Sequence, residues 1–530
     1  MNPRKVYARL LERGREISQL ESIRALLSWD QRTSIPPGGH AHRAAQLATI
    51  AELLSIRVTD PEMGEMLNRM EESELLRDPL SPMAVNVREW RRMHDRAVKV
   101  PRRLSVELAR ASAEGEMAWQ QARGRNDWAS FLPYLERVVE LKHEEAGFLG
   151  FEDEPYDALL NDHEPGQTVR NLEPVFRTLR EALVELLDRT ASSHRRPCHG
   201  ILRRNFPLSA QESLARTVVS RLGYDFHSGR LDTTAHPFSV FIGPGDVRIT
   251  TRYDETCFRM AFFSAIHEAG HALYDQGFPA QYWGQPMGRA PSIGLHESQA
   301  LLWENLVCRS FGFWAHIYPE VSKHFPELNG FSPEEFYFAV NEVRPSLIRT
   351  EADEVTYNLH VLMRFEMELA LMRQEIEVMD LPGVWDQKMK AYLGMVPPDL
   401  ESGVMQDVHW AEGAIGYFPT YTLGNLYAAQ FFAAARRDLG DLDELFTKGE
   451  FRLLLSWLRE KVHSHGSRYR PRDLLVAVTG EDLQPEYLVE HLDARYGALY
   501  DCRRFPHARR RRVPPVNDPE PDRDFFEALP

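Results

Sequence analysis

The stretch from Glu255 to Gly277, ETCFRMAFFSAIHEAGHALYDQG, decides the fold class and the chemistry together. Its apolar residues Phe258, Phe262, Ile266 and Leu273 recur at helical spacing, and Gly277 stands where a helix ends. Within it, His267, Glu268 and His271 form an HExxH pattern. Four residues of α-helix turn through about 400°, so the two imidazoles leave one face and can share one ion. Glu268 leaves the helix about 100° from His267, where it can reach a water beside that ion without ligating it.

An HExxH pattern also arises by accident, from helix-face histidines with ordinary hydrogen bonds, so a third ligand is the deciding feature. Downstream, Pro291-Ser292 reads as a helix start, and the helix that follows carries His296-Glu297-Ser298-Gln299, then Leu301, Leu302, Leu306 and Val307. Glu297 follows His271 by 26 residues, enough for a turn and an antiparallel second helix. A catalytic zinc takes three protein ligands and keeps one position open, and two histidines with a glutamate are an established set. His296 is the rival ligand, but as the adjacent residue it points about 100° away from Glu297. The expectation is one Zn2+ per chain on His267, His271 and Glu297, with Glu268 as catalytic base. Co2+, Mn2+ or iron would also suit two imidazoles and a carboxylate.

Outward from this motif the chain is mainly α. Helical patterns run from Pro3 to about Leu54, broken at Pro36-Pro37-Gly38-Gly39, then roughly from Pro82 to Gly124, Trp128 to Leu149, Glu173 to Arg189 and Ser209 to Leu222. One strand-like region, from about Asp232 to Arg252, precedes the metal motif. Phe238 to Ile242 and Val247 to Thr251 flank Gly243-Pro244-Gly245 and read as a small hairpin. Helical pattern resumes to about Tyr496 with no internal repeat at a solenoid period. Residues 1–500 read as a single helical domain, with two lobes around a cleft as one possible arrangement. Residues 501–530, with the basic cluster Arg509 to Arg512 and a proline- and acid-rich end, read as a flexible tail.

The 530 residues are 43% hydrophobic and 27% charged, with a formal charge of −15 and a pI of about 5.8. That balance excludes a general nucleic-acid binder, which carries a basic face. No run approaches the ~20 apolar residues of a membrane span. The charged N-terminal stretch to Leu20 lacks a secretory apolar core. Four cysteines (Cys198, Cys257, Cys308, Cys502) without a CxxC pair argue against a disulfide framework and for a reducing compartment, so the cytoplasm is expected.

Several motifs stand in order around the metal pattern: Leu27 to Gln31 and Arg43 to Leu47; Asp246, Arg248 and Thr250 as DxRxT; Ile266 to Tyr274; His296 to Gln299; Ile348 to Asp353 as IRxxAD; Gly403 to Trp410 as GxxQDxHW; and Gly416 to Gly424. Together they resemble the carboxypeptidase Taq family of metallocarboxypeptidases over about Leu26 to Tyr496. The Arg32 to Ile35 segment departs from the usual wording, and the tail lies beyond the pattern. The resemblance implies a large helical peptidase fold with a long central cleft and a small sheet beside the active site. It also implies a homodimer that removes single C-terminal residues with broad specificity.

On that reading the substrates are peptides with a free C-terminal carboxylate, for which a guanidinium is the best partner. Arg349 and Arg248 are the candidates, although Arg248 could instead pair with Asp246 or Asp353. His409 and Tyr421 are candidates to stabilise the oxyanion, and Tyr417 competes with Tyr421. Asp246, Asp353 and Asp407 read as orienting residues. His236, before Pro237, is a looser candidate for the cleft lining. The competing functions are a helical-cleft oligopeptidase, a dipeptidyl carboxypeptidase and a non-catalytic peptide-binding protein. The last has no need of a general base.

Overall fold

A computed structural model describes residues 2–198 and 200–503. The expected tail, with its basic cluster, lies outside the described residues from position 504 onward. The amino-terminal helices are α1 (Pro3–Thr33), α2 (His40–Val58), α3 (Pro61–Glu71), α4 (Pro82–Lys99), α5 (Arg102–Arg123) and α6 (Trp128–Leu149). Next come α7 (Pro155–His163), α8 (Val169–Ser192) and α9 (Leu208–Leu222), then strands β1 (Leu231–Thr233), β2 (Ser239–Gly243) and β3 (Asp246–Thr251). The remaining helices are α10 (Phe258–Asp275), α11 (Ile293–Leu301), α12 (Phe311–His324), α13 (Pro333–Val340), α14 (Glu354–Met372), α15 (Leu381–Leu393), α16 (Pro419–Leu439), α17 (Leu442–Thr447), α18 (Phe451–Lys461), α19 (Pro471–Thr479) and α20 (Glu486–Leu499).

Local chemistry sets many of these boundaries. α1, α3, α4 and α13 each begin with proline behind a side chain that caps the first turn, namely Asn2, Asp60, Ser81 and Ser332. The long Pro82 to Gly124 pattern is two helices rather than one. Val100 precedes Pro101 and takes an extended conformation, which ends α4 at Lys99.

The hairpin is β2 and β3, antiparallel, with Phe241 opposite Val247 and Gly245 at a positive φ of 84° in the turn. β1 adds a parallel third strand, so the order is β1-β3-β2. At three residues β1 is too short to carry a readable period. β3 packs on α10, which sets the sheet beside the metal-motif helix.

One continuous apolar core runs from Ala122 to Tyr500, and a smaller one ties α1 through α4 around Val6, Leu10, Leu67 and Trp90. At the centre, α14 and α16 are buried almost all round. α11 lies against both α10 and α16, and two glycines allow that approach. A Cβ at Gly270 would come within 2.6 Å of Ala300 Cα, and one at Gly424 within 2.7 Å of Glu297 Cγ.

Candidate metal centre

α10 and α11 bring His267, His271 and Glu297 together. His267 Nε2 lies 3.8 Å from Glu297 Oε1, and His271 Nε2 lies 3.6 Å from Glu297 Oε2. Ligand atoms about 2.0–2.2 Å from a tetrahedral ion sit roughly 3.4 Å apart, so a small side-chain adjustment closes the set. Among the described residues this is the one group of His, Cys, Asp or Glu side chains placed to share an ion, with all ligand atoms within 4.8 Å of one another.

The other ring nitrogens are occupied. His267 Nδ1 lies 2.9 Å from Glu304 Oε2, and His271 Nδ1 lies 3.1 Å from the His296 carbonyl oxygen. Both partners are acceptors, so each Nδ1 carries the proton and each Nε2 turns its lone pair to the shared point. His296, the rival ligand, is used otherwise. Its ring stacks on His271 at 4.5 Å and 13°, and its Nε2 lies 3.1 Å from Asp275 Oδ1.

The electrostatics favour a cation. Burial opposes a charge on His267, but Glu297, Glu304 and Glu268 outweigh it and push that imidazole up to about 10. Burial, with His296 and His267 adding to it, holds His271 well below its ordinary value. Burial pushes Glu268 up to about 7, against the pull of His267. A dication held by these residues would take the place of the proton that His267 otherwise holds.

A second cluster builds on the IRxxAD and GxxQDxHW motifs. Asp407 Oδ1 accepts from Arg349 Nη2 at 2.8 Å and Nε at 3.2 Å, while Asp407 Oδ2 accepts from Arg364 Nε at 2.7 Å. Gln406 locks the motifs together, accepting from the Arg349 amide at 2.9 Å and donating to the Leu347 carbonyl at 3.0 Å. Arg349 is only 6% exposed and lies over the rings of Tyr421, at 5.1 Å, and Phe418, at 5.6 Å. Its Nη1 reaches the Tyr357 hydroxyl at 3.4 Å. Burial and Asp407 oppose each other at Arg349, and the net result raises its pKa.

His409 and the two tyrosines adjoin this cluster. Tyr421 lies 3.5 Å from His409 Nε2 through its hydroxyl and 5.4 Å from Tyr417 between ring centroids. Burial lowers His409 to about 4, so it is neutral, and burial also raises both tyrosines, each of which feels Glu297. The metal ligand and the arginine cluster are therefore electrostatic neighbours.

The remaining candidates have other partners or lie at the surface. Arg248 is held by both oxygens of Asp246, at 2.7 and 2.8 Å, and stacks on Trp29 at 4.4 Å. Asp353 caps α14, accepting from the Val355 and Thr356 amides, the Thr356 hydroxyl and the Arg344 amide. Asp407 orients arginines, and Asp246 orients Arg248. His236 is exposed in the connection between β1 and β2. Among the described residues, no helix is long and apolar enough to cross a membrane.

Sequence reasoning missed Glu304, Arg364 and Glu368. Glu304 stands seven residues after Glu297, two helical turns on, which was a readable signal. Glu368 is fully buried and accepts from Tyr156, Trp410 and the Gly416 amide, at 2.7, 2.9 and 3.1 Å. It pins the loop that carries Asp407 and His409 to α14.

Residues 9–496 match the family described as Carboxypeptidase Taq (M32) metallopeptidase. The chain is 53% identical over 509 residues to Thermostable carboxypeptidase 1 of Thermus thermophilus, covering 94% of this chain and 100% of that one. It is 39% identical over 500 residues to Carboxypeptidase 1 of Bacillus subtilis, covering 94% and 98%. The crystal structure of the M32 carboxypeptidase from Deinococcus radiodurans R1 superposes with a TM-score of 0.91 at 39% identity, over 94% of this chain and 100% of that chain. Likeness of this degree over nearly the full length decides the matter: the chain belongs to the carboxypeptidase Taq (M32) family and is a metallocarboxypeptidase that releases C-terminal residues from peptides.

Proposed function

We propose that His267, His271 and Glu297 hold one zinc ion and that Glu268 is the general base of a broad-specificity enzyme removing single C-terminal residues. When bound, such an ion polarises a carbonyl and lowers the pKa of water towards neutrality. Glu268 takes the proton of the attacking water and returns it to the leaving amine, a task suited to a buried carboxylate beside the ion. Tyr417, Tyr421 and His409 are the donors for the oxyanion, where pre-oriented N–H and O–H groups act in a water-poor setting.

Arg349 is the anchor for the substrate carboxylate. The observation that carries this is a charge imbalance, in which two buried guanidiniums, Arg349 and Arg364, share the single carboxylate of Asp407. A buried cation without a full partner is costly, and the free C-terminus of a peptide supplies the missing anion. Arg248, already paired with Asp246, is the weaker candidate for this role.

The core from Ala122 to Tyr500 is the body of a single catalytic domain over residues 1–500, to which α1 to α4 add a smaller core of their own. The resemblance supports a homodimer, and the absence of a long apolar helix among the described residues is consistent with the cytoplasm. The experiment compares native protein with Glu268→Gln. Mass spectrometry of the native protein should find one zinc per chain, with cobalt or manganese as the alternatives. The Glu268→Gln protein should keep that metal while kcat falls by orders of magnitude. Near-native turnover in the metal-loaded variant would remove Glu268 from the mechanism.

A further inference from the structure

The geometry points to Glu304 as a positioning residue for the metal centre: its carboxylate fixes the orientation and tautomer of His267 and thereby sets how tightly the ion is held. This rests on the reading of His267, His271 and Glu297 as ligands.

The two histidines are treated unequally. His271 donates its Nδ1 proton to a neutral backbone carbonyl, that of His296, at 3.1 Å. His267 donates to an ionised carboxylate oxygen of Glu304 at 2.9 Å. A carboxylate behind an imidazole makes the far nitrogen a stronger donor and locks the ring plane, which a carbonyl does more weakly.

Glu304 sits where the chain departs from ordinary helix. α11 ends at Leu301, and Leu302–Val307 winds as a π-helix. A π turn leaves carbonyls without their usual partners, and such turns cluster at functional sites. Here the gap is filled by the buried Arg495, which donates to the Asn305 carbonyl at 2.7 Å and the Leu306 carbonyl at 3.4 Å. Arg495 is itself held by Glu354 at 2.7 Å.

A second buried arginine braces the carboxylate. Arg309 Nη2 lies 3.4 Å from Glu304 Oε1, on the oxygen that His267 does not use. Arg309 also donates to the Val340 carbonyl at 2.8 Å and to Asn305 Oδ1 at 3.0 Å, and it covers the Phe263 ring at 4.2 Å. Arg309 is thus fixed from several directions, and Glu304 is fixed between it and His267. A side chain that served only to fill space would not need both oxygens committed to oriented donors.

The test measures zinc affinity of the purified full chain by competition with a chromophoric chelator, alongside melting of the chelator-treated protein. Glu304→Ala should weaken zinc binding by about 10- to 100-fold, the usual cost of losing such a partner. Glu304→Gln keeps an acceptor oxygen for Nδ1–H but loses the charge, so its loss should be smaller. If both variants bind zinc as tightly as the native chain, the inference is overturned. His267→Ala provides the separating control. Should His267→Ala retain zinc as the native chain does, the ligand assignment itself has failed.

The double variant His267→Ala, Glu304→Ala distinguishes positioning from general loosening. With His267 gone, removing Glu304 should cost no further affinity. Additive losses would mean that Glu304 acts through the fold rather than through His267. Glu304→Gln guards against misfolding, since it preserves volume and the acceptor for His267 while giving up the contact to Arg309. If the metal-free Glu304→Gln protein melts as the native metal-free chain does while its zinc affinity falls, the positioning role stands.

Discussion

Replacing Arg349 with alanine is the perturbation that most directly interrogates substrate recognition. In the native chain, Arg349 and Arg364 both bind Asp407, so two guanidiniums share one paired carboxylate and hold a surplus of donors. Arg349→Ala leaves Asp407 paired with Arg364 alone at 2.6 Å, and the surplus is gone. A substrate carboxylate entering that site would lose a charge-assisted hydrogen bond in a desolvated setting, worth about 2–4 kcal/mol. kcat/KM for free-ended peptides should therefore fall roughly 30- to 1000-fold. Breaking a buried ion pair outright costs roughly 3–5 kcal/mol of stability, but Asp407 keeps a partner here, so the variant should fold with a modestly lower Tm. Arg349→Lys keeps the charge but loses the fork, and should fall between native and alanine. The assay is steady-state cleavage of a free-ended peptide and its C-terminally amidated twin by native enzyme, Arg349→Ala and Arg349→Lys, each checked for metal content. The native enzyme should prefer the free-ended peptide strongly, and Arg349→Ala should lose most of that preference while treating the amidated peptide as the native enzyme does. A free-end preference that survives in Arg349→Ala would refute the charge argument and return Arg349 to a structural role.

Two further outcomes follow from the same geometry. Glu297→Ala should lose metal on dialysis against a mild chelator much faster than His296→Ala, because His296 is engaged with Asp275 and stacked on His271; the reverse ranking would make His296 the ligand. Acid stability should carry a signature of the buried His463, whose Nε2 lies 3.0 Å from Gln299 Oε1 and whose pKa burial lowers to about 3. A depressed pKa gives stability that is present above the unfolded value near 6.5 and lost as pH falls, so one such histidine removes about 2 kcal/mol between pH 7 and 5. Urea midpoints at the two pH values should therefore separate more for the native chain than for His463→Gln, and equal separations would show that His463 does not contribute.

Much of the centre was legible because helices turn regular sequence spacing into direction. His267 and His271, four apart, had to share a face, and α10 bears that out. The angle between adjacent helical residues made Glu297 and His296 alternatives, the two-histidine-and-glutamate set of catalytic zinc favoured Glu297, and Glu297 is the side chain grouped with the two histidines. The β2 and β3 hairpin was readable from two apolar strands around Gly243-Pro244-Gly245, whereas β1, at the edge of the strand-like region, was too short at three residues to be read as a strand of its own. The break at Val100 was overridden in the reading by a continuous apolar pattern, although Pro101 was there to signal it.

What sequence could not supply was how many arginines each aspartate meets. DxRxT and IRxxAD each offer a guanidinium near an aspartate, and nothing in the spacing distinguishes them. The difference arises from tertiary stoichiometry. Asp246 meets one arginine and satisfies it with both oxygens, while Asp407 meets two, one of which, Arg364, arrives from α14 more than forty residues upstream of Asp407. One carboxylate against one guanidinium closes a contact; one against two leaves a charge to be answered. On the proposed role of Arg349, that imbalance, set beside a metal ligand whose charge Arg349 feels, is the physical reason for an anionic chain end rather than any peptide bond.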